Sequence, residues 1–414
     1  MACDMAGVWS RSGVLLLAII VAAAAIRLIA LVVGPGYPFD VVTFERWAAR
    51  MATTGPSSFY DPAFFADYPP GILYLLWPLG MWPGGVPDAV VRAIGIPFDL
   101  GVVLAAFGLV RRIHGDRAAL VAAAAYGLNP APALAGPFWG QLDAVGILPL
   151  VLSLAAAAAG RPVLAGGLAT LATLVKPQLA VGLGVLLMAR AGAALRSRDM
   201  SPLLRTLSGA AAMAALLVVP FAPTPDKVGA IVRDATSTHP FSSLFAFNVW
   251  ALVAGFAVPD DTVLGGLPLR VWGLILVASG LGLIAWRTAA LAVAAAPFAD
   301  KLATGLAMTT LATLAIYELP TRIHERYLLP AIVLLVPFVV ASRRAAAAYV
   351  VLSIVLAVSV AFAFTHQEQT GIRAGPLIER TLFDPSVLVL LILTGIAATG
   401  ALVSLWWRRR PALV

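Results

Sequence analysis

The sequence predicts an all-α, polytopic integral membrane protein, and three observations carry that prediction. Hydrophobic residues fill 61% of the 414 positions and charged residues only 12%, against about half and about a quarter in a soluble domain. The mean hydropathy is +0.94. Apolar stretches of roughly twenty residues, enough to cross a hydrocarbon core of about 30 Å, recur from one end of the chain to the other.

In order, the crossings read at 12–33, 88–110, 118–135, 142–159, 163–175, 178–188, 203–221, 269–286, 302–319, 327–341, 345–364 and 387–407. That makes about twelve, and up to about fourteen if the shorter apolar pieces 68–82 and 244–258 cross rather than re-enter or lie at the interface. The first run follows Arg11 and is long for a signal peptide, so it reads as an uncleaved first helix. No soluble-looking stretch is long enough for a second domain, so 1–414 reads as one transmembrane domain.

The formal net charge of +8 sits in short turns between apolar runs. There it reports topology rather than a nucleic-acid partner. With the N-terminus inside, the inner loops hold sixteen of the 28 Lys and Arg residues, from Arg11 to Arg410, against four acids, Asp4, Asp116, Asp199 and Asp300. Both termini are therefore expected to be cytoplasmic. The Ala-, Arg- and Gly-rich composition suggests a GC-rich bacterial genome, hence a plasma membrane. The single cysteine, Cys3, excludes an intramolecular disulfide and a cysteine-based metal site. The long loops, 34–87, 222–247 and 365–386, fall on the outer side, where a rigid scaffold would present functional residues.

The first of these loops opens "GPGYPFDVVTFERWAARM". A short amphipathic helix is expected from near Asp40, with Phe44, Trp47, Ala48 and Met51 on one face and Glu45, Arg46 and Arg50 on the other. Such a helix would lie in the membrane interface. Asp40 then reads either as a helix cap or as an acid held at the membrane surface. Further on, "FADYPPG" sets Asp67 and Tyr68 before two prolines that stop any helix. "GPFWGQLDAVG" brings Gln141 and Asp143 to the outer edge, where Asp143 reads as a cap of the next helix or as part of a site.

In "LATLVKPQLAVGL", Lys176 precedes a helix-breaking proline and Gln178. A cation there implies a cavity with an anionic partner, or snorkelling to the headgroups. "STHPFSSLFAFNVWAL" contributes His239, Asn248 and Trp250. "ELPTRIHERYLLP" crowds Arg322, His324, Glu325 and Arg326 at one outer helix end, as an anion site or an interfacial charge belt. Arg92 and Asp99, two turns apart in one span, read as a buried ion pair or as part of the site.

Taken in order, "FDVVTFERW", "DYPP", "VVRAIGIPFDL", "WGQLD", Lys176–Gln178, "FNVW" and "HERY" resemble the GT-C superfamily of polyprenyl-phosphate-sugar-dependent membrane glycosyltransferases. The likeness is to the dolichyl-phosphate-glucose glucosyltransferases of N-glycan assembly and their bacterial mannosyltransferase relatives, and runs from the first helix to about Pro330. The chain departs from the eukaryotic pattern at Gly140-Gln141-Leu142-Asp143, where those enzymes carry a Gly-His-Phe type of turn.

The resemblance implies inverting transfer of a hexose, mannose or glucose, from a polyprenyl-phosphate sugar to a hydroxyl of a lipid, glycan or protein acceptor on the outer face. Asp40 is the expected general base, and Lys176, Arg322, His324 and Arg326 the expected cations for the donor phosphate. Arg92, Gln141, Asp143, Asp67, Tyr68, Gln178, Asn248, Trp250 and Glu325 complete the expected substrate site, with no metal and no cofactor. The rival reading is a secondary transporter or flippase for a lipid-linked or anionic substrate, suggested by Lys176 in a broken helix. A non-catalytic assembly partner has only the apolar surface to support it.

Overall fold

The computed structural model describes residues 11–292, 295–408 and 411–413. Cys3, Asp4, Arg409 and Arg410, which enter the reading above, lie outside them. The described chain is helical apart from short connections and one small hairpin, Val263–Leu264 with Leu267–Pro268.

Seven helices among the described residues are long and apolar enough to cross a membrane: Arg11–Val33, Asp88–Gly127, Pro177–Ser197, Ser201–Phe221, Leu269–Leu291, Arg343–His366 and Pro385–Arg408. The expected twelve stretches exceed seven for identifiable reasons. Asp88–Gly127 takes in two of them, because the chain turns within it at Gly115, whose φ of 78° and ψ of −177° are not helical. Tyr126 donates its hydroxyl to Asp99 across that turn. A straight helix would separate those residues by about 40 Å, so the two arms fold back on each other. Asp143–Ala158 and Pro162–Val175 are apolar but short. Phe298–Glu318 carries Asp300, Lys301 and Glu318, and the stretch 327–341 is divided into Leu329–Leu335 and Val336–Phe338.

Packing separates lipid-facing from protein-facing helices. The first helix leaves Leu17, Val21, Ile29 and Val32 exposed, an apolar surface of the kind that needs a bilayer. Phe298–Glu318 and Arg343–His366 instead supply much of the core. Close approach depends on small residues, as in membrane bundles generally. A Cβ on Gly166 would lie 2.0 Å from the Thr206 carbonyl oxygen, and one on Gly209 would lie 2.0 Å from that of Val163.

Two expectations change here. The amphipathic helix exists, over Pro38–Thr54, and buries Phe44, Trp47, Ala48 and Met51 as its spacing predicted. The cover of that stripe is protein rather than lipid, however. The helix's apolar face packs on Phe59, Tyr60, Ile72, Leu73 and Leu76 of the same loop; the apolar stripe is satisfied by protein, so it has no need of lipid. Second, Arg92 and Asp99 do not pair. Asp99 accepts from Arg27 Nε at 2.6 Å, both side chains buried, because the hairpin turn brings Asp99 against the first helix.

Candidate functional site

The site gathers at one end of the bundle, from six separate stretches of chain: 37–40, 67–68, 88–92, 139–143, Lys176 and 324–326. Arg92 is the clasp that sets their register. One of its terminal nitrogens donates to the carbonyls of Leu31, Gly34 and Pro137 at 3.0, 2.9 and 3.0 Å, and the other contacts Asp88 at 3.2 Å. The exit of the first helix is thereby tied to the turn at Leu134–Phe138, and the Tyr37 N–H donates to the Trp139 carbonyl at 2.6 Å. Gly140 adopts φ +105°, and a Cβ there would meet Val41 at 2.8 Å. The Asp40 helix therefore lies directly over the segment Trp139–Gln141.

Asp40 is consequently not a cap: the helix N-cap is Tyr37, which makes no side-chain cap bond. One carboxylate oxygen, Oδ2, accepts from Trp139 Nε1 at 2.7 Å and from Gln141 Nε2 at 2.5 Å. Gln141 Oε1 accepts from Lys176 Nζ at 2.8 Å. The carboxylate on one side and the ammonium on the other leave the amide only one sensible orientation. Lys176 also pairs with Asp143 Oδ1 at 2.8 Å. Asp143 is thus the anionic partner of the buried lysine, not the cap of its helix. A chain of contacts runs Asp40–Gln141–Lys176–Asp143.

Asp67 and Tyr68 join from the proline turn. The Gly71 N–H donates to the Leu174 carbonyl at 2.8 Å, docking that turn on the helix end that carries Lys176, whose ammonium lies 5.5 Å from the Tyr68 ring centre. Burial raises the Asp67 carboxyl to about 6, with Asp40 adding to the effect and Lys176 and Arg326 opposing it. From the other side, Leu244 and Phe245 form bridges to His324, and Arg326 pairs with Glu325 at 3.1 Å. Its guanidinium stands 5.7 Å from the Trp139 ring centre. Burial alone would lower Arg326, but the carboxylates of Asp40 and Glu325 more than reverse that and hold it above its ordinary value. Burial, with Glu325's neighbour Arg326 opposing, raises the Glu325 carboxyl.

The expected ring of cations is smaller than its sequence suggests. Burial and the neighbouring Arg326 hold His324 well below its ordinary range, so it is neutral. His239, 5.1 Å from it between ring centres, is lowered by the same causes. Arg322 turns away to Asp260 at 2.6 Å. Lys176 and Arg326 remain, each with a carboxylate partner. Asp40, Asp67, Asp143 and Glu325 outnumber them, so the cluster is net acidic when all are ionised.

Asn248 and Trp250 lie elsewhere in the architecture. Asn248 caps the short helix Val249–Val253 and donates to the Tyr317 carbonyl at 3.0 Å. Trp250 Nε1 donates to that of Leu319 at 2.7 Å. Together they fasten the 241–256 segment to the end of Phe298–Glu318. Gln178 sits in the turn after Lys176. Among the described residues its Nε2 is buried and unpartnered, as are Asp143 Oδ2, Glu325 Oε2 and Arg326 Nε. Buried polar atoms nearly always find partners, so this concentration of free donors and acceptors marks a place built to receive polar groups.

Trp139 is not among the residues expected in the site, although "FWGQLD" contains it; an indole in a glycine turn carries no sign of which acid it will meet. Among the described residues, no group of three or more His, Cys, Asp or Glu is arranged to hold a metal. Fold and cluster together define a helical membrane protein with a charged, partly unsatisfied polar site at one end of its bundle. No family model and no curated protein matches the chain.

Proposed function

We propose that the chain is a membrane glycosyltransferase that moves a hexose from a polyprenyl-phosphate donor to an acceptor hydroxyl, with inversion, on the outer face of the plasma membrane. The observation that carries this reading is the state of Asp40. Trp139 and Gln141 hold one of its oxygens, while Oδ1 has no hydrogen-bond partner among the described residues and the residue is half-buried. An oriented carboxylate with one free oxygen is what a general base requires.

In the proposed reaction, the acceptor oxygen forms a bond to the anomeric carbon as the bond from that carbon to the phosphate oxygen breaks. The hydroxyl proton passes to Asp40 Oδ1, and the bonding pair leaves with the polyprenyl phosphate. Arg326, over the Trp139 ring, offsets the charge that grows on the leaving phosphate. Asp67, Glu325 and the neutral His239 and His324 supply acceptors and donors for sugar hydroxyls. Lys176 serves mainly to hold Gln141, since Asp143 already neutralises it. That pairing also weakens the transporter or flippase reading, which needs Lys176 available to a passing substrate.

The test is sugar transfer from radiolabelled polyprenyl-phosphate mannose or glucose in proteoliposomes, run beside an uptake assay. Asp40→Asn is expected to lower turnover by about 10²- to 10⁴-fold while donor binding persists; near-normal turnover would remove Asp40 as the base. Uptake without transfer would replace the enzyme by the transporter.

A further inference from the structure

A second polar site lies at the opposite end of the bundle. Asp143–Ala158 starts at the acidic cluster and ends beside a cavity of about 210 Å³ lined by Ala157, Ala158 and Leu154. From Asp143 to Ala157 is about 21 Å along the helix axis, so the two sites do not share residues or space. The wall is apolar, with Val185, Leu186 and Leu291 facing it, and its charged lining is Arg190, Lys301 and Asp300.

The charges there are unspent. Arg190 donates one terminal nitrogen to the Ala157 carbonyl at 3.0 Å, but its Nε is buried with no partner among the described residues. Among the described residues, Lys301 has no carboxylate within ion-pair distance, and neither has Arg190. The nearby Arg196 differs: it is committed to the carbonyls of Ala289 and Ala292. Asp300 is exposed at the mouth. Among the described residues, the lining therefore presents two cations against one solvated acid, over an apolar floor. A buried N–H without an acceptor is destabilising, and an anion entering the cavity would relieve that cost.

We infer that this cavity binds an anionic membrane phospholipid, its phosphodiester on Arg190 and Lys301 and the start of its chain against Leu154, Val185 and Leu186. The volume supports a headgroup rather than a whole lipid, being below the roughly 300 Å³ at which pockets for drug-sized ligands begin. With the orientation that the charge bias predicts, the lipid belongs to the cytoplasmic leaflet. The inference is independent of the transferase reading and uses none of its residues.

The full-length protein, purified in detergent, is titrated by native mass spectrometry with dioctanoyl phosphatidylglycerol, dioctanoyl phosphatidylcholine and inorganic phosphate. Phosphatidylglycerol is expected to bind more tightly than phosphatidylcholine. Arg190→Gln and Lys301→Gln should each weaken it about fivefold, the worth of one basic residue near an anionic lipid surface. Ala189→Phe, which narrows the cavity while keeping both cations, should weaken both lipids. The inference is overturned if the two lipids bind alike, or if Lys301→Gln, whose ammonium makes no hydrogen bond or ion pair among the described residues, leaves phosphatidylglycerol binding unchanged. It is equally overturned if Ala189→Phe has no effect, or if inorganic phosphate displaces the lipid at equal concentration, because the apolar wall would then be idle.

Discussion

At the scale of single residues, the proposed base depends on partners as much as on itself. Gln141 bridges the carboxylate of Asp40 and the ammonium of Lys176. Gln141→Leu removes the bridge while roughly keeping volume, and should lower kcat by about 10- to 100-fold through misplacement of Asp40, with donor KM little changed. Steady-state transfer kinetics check this split. Asp67 makes a prediction in pH. Its folded-state carboxyl titrates at about 6 rather than 3.8, so between those values the folded chain holds a proton that the unfolded chain has released. Stability therefore falls as pH rises through that window, and above it the ionised form costs about 3 kcal/mol. Asp67→Asn should melt higher than the parent at pH 7.5, and the difference should vanish near pH 4 in thermal unfolding. The same acid bears on function. An anionic donor entering a cluster rich in carboxylates favours the protonated form of Asp67, so donor binding should tighten as pH falls from 7.5 to 5.5. Asp40, Lys176 and Arg326 were all visible in the sequence as charges in odd places; that Asp143 neutralises Lys176, and that burial silences His324, was not.

At the scale of elements, the helix Pro38–Thr54 shows how far periodicity reaches. The positions Phe44, Trp47, Ala48 and Met51 named the buried face correctly, but a stripe does not say what will cover it. The cover is the segment Phe59–Leu76, and Gly80 lies so close that a Cβ there would stand 1.9 Å from the Ala48 carbonyl oxygen. Trp47, 1% exposed with its indole donating to the Phe65 carbonyl at 3.0 Å, is the centre of that contact. Trp47→Ala should destabilise the loop by about 3–5 kcal/mol, seen as early proteolysis within 55–87. An interfacial helix would instead show weakened lipid contact with the loop intact. The motif "GPFWGQLDAVG" was likewise legible as an edge segment, whereas its service to Asp40 follows from Arg92, whose three carbonyl acceptors come from Leu31, Gly34 and Pro137.

At the scale of the whole molecule, the ion pair Arg27–Asp99 ties the first helix to the hairpin behind it. Asp99→Leu strands a buried guanidinium and should cost about 3–5 kcal/mol; Arg27→Leu with Asp99→Leu should recover much of that loss in detergent melting experiments. Orientation can be checked on a Cys3→Ser background. The Ser57→Cys variant should react with an impermeant maleimide in intact cells and Arg344→Cys should not, and the reverse result would invert the proposed topology. Hydropathy, charge bias and helix periodicity are sums over neighbours along the chain, and so the sequence by itself determined a helical membrane protein, its apolar segments and the residues whose charge needed an explanation. Pairing is different, because it joins positions remote in sequence. Arg27 meets Asp99 across 72 residues and Asp40 meets Gln141 across 101. Only the folded bundle decided which acid meets which cation, since desolvation makes those choices and burial is a property of the packed molecule.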